Sequence, residues 1–251
     1  MLARHVLRWD HAAWITRAGD EAPTAFLSAY DAIVQRRANR EPVAYIVGHR
    51  EFYGRDFAVS PAVLIPRPES ELIVEFALAH LPADRFLRVV DVGTGSGALA
   101  VTLAAERPSW HLEAVDISRE AVDVARRNAA THGVAERITF LQGDLLAPTM
   151  GAFDAIVANP PYVALRDAPG ISADVRHEPQ VALFGGQDGM DIPRRLLSQA
   201  GERLVPGGLI VMEFGYGQQD EVEAAAREAG LQVERVLEDI QGIARTLVAR
   251  R

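Results

Sequence analysis

The 251-residue chain contains no cysteine and no lysine; all 26 of its basic residues are arginine. Without cysteine there can be no disulfide, no thiol nucleophile and no cysteine-bound metal. Without lysine there is no Schiff-base chemistry and no phosphate-gripping lysine of the P-loop kind. No apolar run reaches the roughly 18 residues that a membrane-spanning helix requires. The opening MLARHVLRWDHAAW lacks the charged-then-apolar pattern of a secretory leader. Seven histidines stand at 5, 11, 49, 80, 111, 132 and 177 without H-E-x-x-H or a similar spacing, so no metal site is expected. Excess positive charge is missing too. A formal charge of −8 argues against a protein that lives on nucleic acid, while leaving room for a local arginine patch. These absences set the expectation of a cytoplasmic, monomeric protein with no membrane and no stable nucleic-acid partner.

What is present is an apolar content of 49%, enough for one large α/β domain with a small appendage. Residues 1–40 repeat apolar positions at three- and four-residue steps and read as two helices, separated by Gly19-Asp20-Glu21-Ala22-Pro23. Residues 52–59 and 62–65 read as two short strands around Ser60-Pro61. A helix to about His80 follows Pro66-Arg67-Pro68-Glu69-Ser70. From residue 86 strands and helices alternate. Strands are expected at 88–92, 112–116, 138–142, 153–158, 208–214, 231–236 and 243–249, with helices at 97–106, 118–131, 190–204 and 218–229. Such alternation implies a parallel sheet covered by helices on both faces. The last two strands have too few residues between them for a crossover helix, so they pair as an antiparallel hairpin. The expected fold is therefore α/β: a seven-stranded, mostly parallel, Rossmann-like sheet with an antiparallel last strand. This is the layout of S-adenosylmethionine-dependent methyltransferases. A small N-terminal helical part (1–50) and a β-hairpin linker (51–67) precede the main domain (68–251).

Three strand ends carry the signature of a nucleoside-bearing ligand. Asp91-Val92-Gly93-Thr94-Gly95-Ser96-Gly97 joins the first sheet strand to a helix. Gly93 and Gly95 permit a tight turn and close approach to a ligand, and Gly97 permits close helix packing. The third glycine comes one residue too early for a dinucleotide fingerprint. The carboxylate of Asp91 suits a cationic amino-acid head more than a pyrophosphate. Asp116-Ile117 ends the next strand, where a carboxylate can accept both ribose hydroxyls. Asp144-Leu145 follows the third strand; Asp144 can accept from an adenine amino group and Leu145 can pack on the ring. The plainer alternative is a glycine turn with ordinary helix caps at Asp116 and Ser118.

Asn159-Pro160-Pro161-Tyr162 directly follows the apolar run 153–158. Each proline fixes its own φ and pushes the residue before it towards extended backbone. The Asn159 side-chain oxygen and the Pro160 carbonyl can then accept from one planar NH2 group, with the Tyr162 ring against its face. The alternative is a proline-stiffened loop.

With these segments the chain resembles the release-factor glutamine methyltransferases (the HemK/PrmC family) over nearly its whole length. The carrying segments are EPVAYIVGHREFYG at 41–54, VLIPRPESE at 63–71, DVGTGSGALA at 91–100, NPPY at 159–162, DVRHEPQVALFGGQDGMD at 174–191, VPGGLIVMEFGYGQ at 205–218 and EDIQGIART at 238–246. NPPY alone is shared with methyltransferases that act on amino groups of DNA, RNA and protein. The resemblance implies S-adenosylmethionine as cofactor, with Asp91, Gly93, Thr94, Gly95, Ser96, Gly97, Asp116, Ile117, Asp144, Leu145 and Asn159 around it. The implied acceptor is the side-chain amide of the glutamine in the Gly-Gly-Gln motif of peptide chain release factors. Asn159 and Pro160 would accept its two hydrogens and Tyr162 would pack on its plane. Pro161, Arg67 and Glu178 would wall the pocket, although Arg67 and Glu69 can equally form a salt bridge or cap a helix. The chain's own Gly185-Gly186-Gln187 falls in a turn and is read as coincidence. The family's opening helical domain is longer than the roughly forty residues present here, so a shortened substrate grip is expected. Rival readings are a ribosomal-protein glutamine methyltransferase, a nucleic-acid amino methyltransferase, and a nucleotide-binding protein without catalysis.

Overall fold

The computed structural model describes all residues from 1 to 251. Four helices open the chain: α1 (Leu2–Leu7), α2 (His11–Arg17), α3 (Phe26–Ala38) and α4 (Val43–Val47). The first predicted helix is thus two. Arg8 takes a left-handed φ of 53°, and Asp10 caps the next helix by accepting from Ala13 N at 2.7 Å. The short α4 was not predicted; Gly48 ends it at φ 83°.

The hairpin is β1 (His49–Phe52) and β2 (Arg55–Ala58), with Phe52 paired to Arg55. The two strands expected at 52–59 and 62–65 are therefore corrected. Tyr53 and Gly54 both have positive φ, 51° and 72°, as a two-residue hairpin turn whose twist matches the strands demands. Residues 62–65 form no strand. Phe52 and Phe57 meet edge to face, 6.1 Å between centroids, and anchor the hairpin in the core.

The main sheet contains β3 (Leu87–Val92), β4 (Trp110–Asp116), β5 (Ile138–Gln142), β6 (Phe153–Ala158), β7 (Leu204–Glu213), β8 (Gln232–Glu238) and β9 (Ala244–Arg250). Their order is β5-β4-β3-β6-β7-β9-β8. The first five are parallel; β9 runs antiparallel to both β7 and β8. The predicted strands and their pairing sense are all present. Val205-Pro206-Gly207-Gly208 forms an irregular stretch within β7, where the register with β6 shifts between Leu204 and Leu209.

Side chains alternate between the two faces of each strand. Val89, Ala155, Val157 and Val211 lie in one core cluster with α5 (Glu71–His80) and α6 (Ala98–Glu106). Val90, Ile156, Ile210 and Met212 lie in the other with α8 (Asp191–Arg203) and α9 (Gln219–Glu228). The remaining helix, α7 (Arg119–Thr131), supplies buried Asn128. Its Nδ2 donates to Ala58 O at 3.0 Å and Ser96 O at 2.7 Å, and its Oδ1 accepts from Ala58 N at 2.9 Å. One side chain thus ties the hairpin to the glycine loop.

The chain runs outward from β3 to β5, then crosses back to β6 on the other side of β3. Crevices of open α/β sheets form at such a switch point, outside the carboxyl ends of the strands.

Candidate active site

Strand register brings the two signature loops together. Val92 pairs with Ala158, so Gly93 and Asn159 leave adjacent strands at one level. A Cβ on Gly93 would stand 3.8 Å from the Asn159 carbonyl oxygen. On the other side Gly93 N and Thr94 N both donate to Val115 O at 2.9 Å, which closes the glycine loop over the end of β4. Gly97, at φ 82°, caps α6. A Cβ there would come within 3.1 Å of the Ala125 Cβ, so only glycine lets α6 and α7 approach this closely.

Three cavities meet at Asn159. The largest, about 900 Å³ with its open mouth included, is lined by Gly93, Gly95, Asp116, Ile117, Asp144, Leu145, Asn159 and Pro161, with apolar Val115, Val181 and Phe184. A second, about 400 Å³, lies over the glycine loop between Thr94, Ser96, Arg67, Ser70 and Asn159. A third, about 420 Å³, is lined by Arg67, Asn159, Pro160, Tyr162, Val175 and Leu183. The predicted residues thus converge, with three exceptions. Asp91 and Gly97 act on the loop from beneath. Glu178 lines none of the three: its Oε1 accepts from Arg67 Nη2 at 2.6 Å and its Oε2 from Ile65 N at 3.0 Å. That pair fastens the 65–67 segment to the 175–183 segment, which makes Glu178 a strut of the wall.

Asp91 is fully buried. Its Oδ2 accepts from Thr94 Oγ1 at 2.7 Å and Ala100 N at 3.1 Å, while Oδ1 is buried without a partner. Burial pushes its carboxyl up to about 7, against the pull of those two hydrogen bonds. Burial also raises Asp116, whose oxygens accept from Gly95 N and Ser118 N, each at 2.9 Å. Asp144 forms a short ion pair with Arg195 at the cleft edge.

Asn159 Nδ2 donates to Ser70 Oγ at 2.8 Å, and Oδ1 and the Pro160 carbonyl accept nothing from the protein. Ser70 Oγ and Tyr162 Oη both donate to buried Glu213, at 2.5 and 3.0 Å. Burial and the neighbouring Glu213 charge push the Tyr162 phenol far up, so it stays protonated. Behind the loop, Gln218 Nε2 donates to Tyr162 O at 2.9 Å. Gly185 and Gly189 press on the same loop: Cβ atoms there would come within 2.4 Å of Pro161 O and 2.3 Å of Tyr162 O.

Sequence reasoning passed over Ser70, Glu213 and Gln218. The signal for Glu213 was a carboxylate closing the apolar run 209–212, where a buried parallel strand otherwise carries none. Ser70 and Gln218 gave no signal beyond lying in the carrying segments.

Strand order, a glycine turn at the switch point and the cleft beside it define a Rossmann-like methyltransferase fold. Solved structures agree on the fold: a ribosomal protein L11 methylase from Lactobacillus delbrueckii subsp. bulgaricus (TM-score 0.58, 24% identity, 77% of this chain and 83% of that one), and a methyltransferase from Pyrococcus furiosus (TM-score 0.59, 18% identity, 86% and 98%). The family model described as "Methyltransferase small domain" matches residues 72–175, and "PrmC N-terminal domain" matches 1–48. Relatives called release factor glutamine methyltransferase are 43% identical in Neisseria gonorrhoeae (100% of this chain, 91% of the relative). They are 44% identical in Moorella thermoacetica (94% and 84%) and 40% in Deinococcus radiodurans (100% and 89%). The chain belongs to the release factor glutamine methyltransferase family.

Proposed function

We propose that this chain moves a methyl group from S-adenosylmethionine to the side-chain amide nitrogen of the Gly-Gly-Gln glutamine in peptide chain release factors. The observation that carries this reading is the position of Asn159. It lines all three cavities, with its Oδ1 and the next carbonyl both uncommitted.

The residues present fit the cofactor. The orphaned Asp91 Oδ1 is an acceptor awaiting a donor beneath the glycine loop. Asp116 keeps lone pairs for ribose hydroxyls, and Ile117 and Leu145 offer apolar surface to an adenine. When bound, S-adenosylmethionine supplies a methyl group on a positively charged sulfur, open to attack. The chain's task is then positioning. An amide nitrogen is a poor nucleophile because its lone pair is delocalised into the carbonyl. Asn159 Oδ1 and Pro160 O accept its two hydrogens, hold it in line and favour positive charge on it as the bond forms. The nitrogen sheds a proton once methylated, when that proton is strongly acidic. No strong base is therefore needed, in keeping with the protonated Tyr162.

In this reading residues 1–50 grip the substrate, 51–67 link, and 68–251 bind cofactor and react. Arg67 and Pro161 wall the slot. The enzyme acts as a monomer in the cytoplasm, where its substrates are, without stable nucleic-acid binding. No helix is long and apolar enough to cross a membrane.

The test is methyl transfer to purified release factor, set beside ribosomal protein and duplex DNA. Labelling of either of the latter with unlabelled release factor would sink the proposal. Asn159→Ala leaves an amide N–H unpaired, at about 1–3 kcal/mol, so kcat should fall about ten- to a hundredfold while cofactor affinity hardly changes. Asp116→Ala should weaken cofactor binding first. Identical behaviour of the two variants would refute this division of roles.

A further inference from the structure

The carboxylate of Glu213, 1% exposed, has no part in the positioning just described, yet it sits behind it. Glu213 ends β7 on the α5 face of the sheet, and Ser70 stands just before α5. Two hydroxyls converge on the one carboxylate: Ser70 Oγ donates to Oε2 at 2.5 Å and Tyr162 Oη to Oε1 at 3.0 Å. Asn159 Nδ2 completes the chain by donating to Ser70 Oγ at 2.8 Å.

A carboxylate only accepts, and a hydroxyl has a single proton. Ser70 gives that proton to Glu213 and has only lone pairs left for Asn159. Only the NH2 end of the Asn159 amide can face lone pairs. A half-turn of that amide would set oxygen against oxygen, leaving a buried acceptor unpaired. Burial, the largest influence, raises the Glu213 carboxyl, with Glu69 adding to it, while the hydrogen bonds from Ser70 and Tyr162 and the charge of Arg245 pull it back down; the two hydroxyl donors fit the charged form.

Resting on the function proposed above, we propose that Glu213 is a positioning residue that sets the polarity of the site. Through Ser70 it turns the Asn159 amide so that Oδ1 is left for the acceptor's N–H. Through Tyr162 it fixes the ring that lines the same slot. Sequence spacing gives no hint of this, since Ser70, Asn159 and Glu213 come together only in the fold.

The test reverses the chain of donors. Glu213→Gln can present an NH2 to Ser70, which frees the Ser70 proton for Asn159 Oδ1 and turns the amide the wrong way. kcat should fall about tenfold or more, with cofactor affinity unchanged. Asn159→Asp alone sets a carboxylate against the Ser70 oxygen and should be slower still. The double variant Asn159→Asp/Glu213→Gln restores a consistent direction: Gln to Ser, Ser to Asp, with the second Asp oxygen free. It should exceed Asn159→Asp alone by about tenfold. Wild-type kcat in Glu213→Gln, or a double variant no faster than the product of the two single effects, would overturn the inference. Should Glu213→Gln not fold, Ser70→Ala should lose activity and Ser70→Thr, which keeps the hydroxyl, should recover it; equal rates would overturn it as well. A readout without any acceptor separates the two proposals. The Asn159 side-chain NH2 should be protected from hydrogen exchange by NMR in the wild type and unprotected in Ser70→Ala. An unprotected wild-type NH2 refutes the positioning role, whereas a wild type that methylates no release factor refutes the function.

Discussion

Asp91 shows how one residue can be legible in type and illegible in placement. Its carboxylate before the glycine turn marked the ligand class, but β3 turns it to the α5–α6 face beneath the loop. Water is excluded there, and one oxygen is left without a donor. Its folded pKa of about 7 stands above the ordinary 3.8, so the folded state holds this proton more tightly than the unfolded chain. The sign follows: the ligand-free fold is favoured at low pH by this group, and loses that advantage as pH rises from about 4 through about 7. Asp91→Asn removes the titration. Thermal unfolding of the cofactor-free variant should therefore lose less stability between pH 5 and pH 8 than the wild type. Parallel Tm–pH curves would contradict this account.

At the scale of elements, the NPPY loop is stiffened from within by its prolines and from outside by two glycine turns. Val163 N donates to Leu183 O and Gly185 N to Val163 O, at 2.9 and 3.0 Å, and the bare faces of Gly185 and Gly189 admit the NPPY carbonyls. The Gly-Gly-Gln triplet is thus explained by packing: at Gly186, φ 104°, a Cβ would overlap the Asp191 carboxylate. Gly189→Ala should cost about 1–3 kcal/mol and lower kcat, because the new methyl drives against Tyr162 O. Gly133→Ala is the control. It has a similar φ of 68° but open space around it, so it should cost about 1 kcal/mol and leave kcat alone. Denaturant unfolding and steady-state rates measure both; a full-speed Gly189→Ala would mean the clamp is dispensable. Short apolar runs alternating with amphipathic stretches made the seven sheet strands readable. The hairpin was misread because Tyr53-Gly54 is a less familiar turn pair than the Ser60-Pro61 beside it.

At the scale of the whole molecule, α1, α2 and α3 bury no residue. They are joined to the main domain by polar ties, such as Arg37 to Asp174 at 2.9 Å and His177 to the Asn39 carbonyl at 3.2 Å. Ile15 and Leu27 remain 67% and 65% exposed. On the function proposed above, in which residues 1–50 grip the substrate, Ile15 and Leu27 are apolar side chains of that part left open to a protein partner. Ile15→Asp combined with Leu27→Asp should raise KM for release factor about tenfold, with Tm and cofactor affinity unchanged. An unaltered KM would remove these helices from the substrate grip.

What the sequence determined by itself is local and periodic. The alternation of strands and helices, crossover lengths and the Asp-x-Gly-x-Gly-x-Gly turn depend on neighbouring residues, so they declare the sheet, the glycine-turn crevice and the NPPY corner without a structure. Only the tertiary structure decided which way that corner's amide faces. Ser70, Asn159 and Glu213 lie far apart along the chain and meet through the packing of α5 over β7. A hydrogen bond's direction belongs to the whole set of partners, and sequence spacing carries no record of partners brought together by folding.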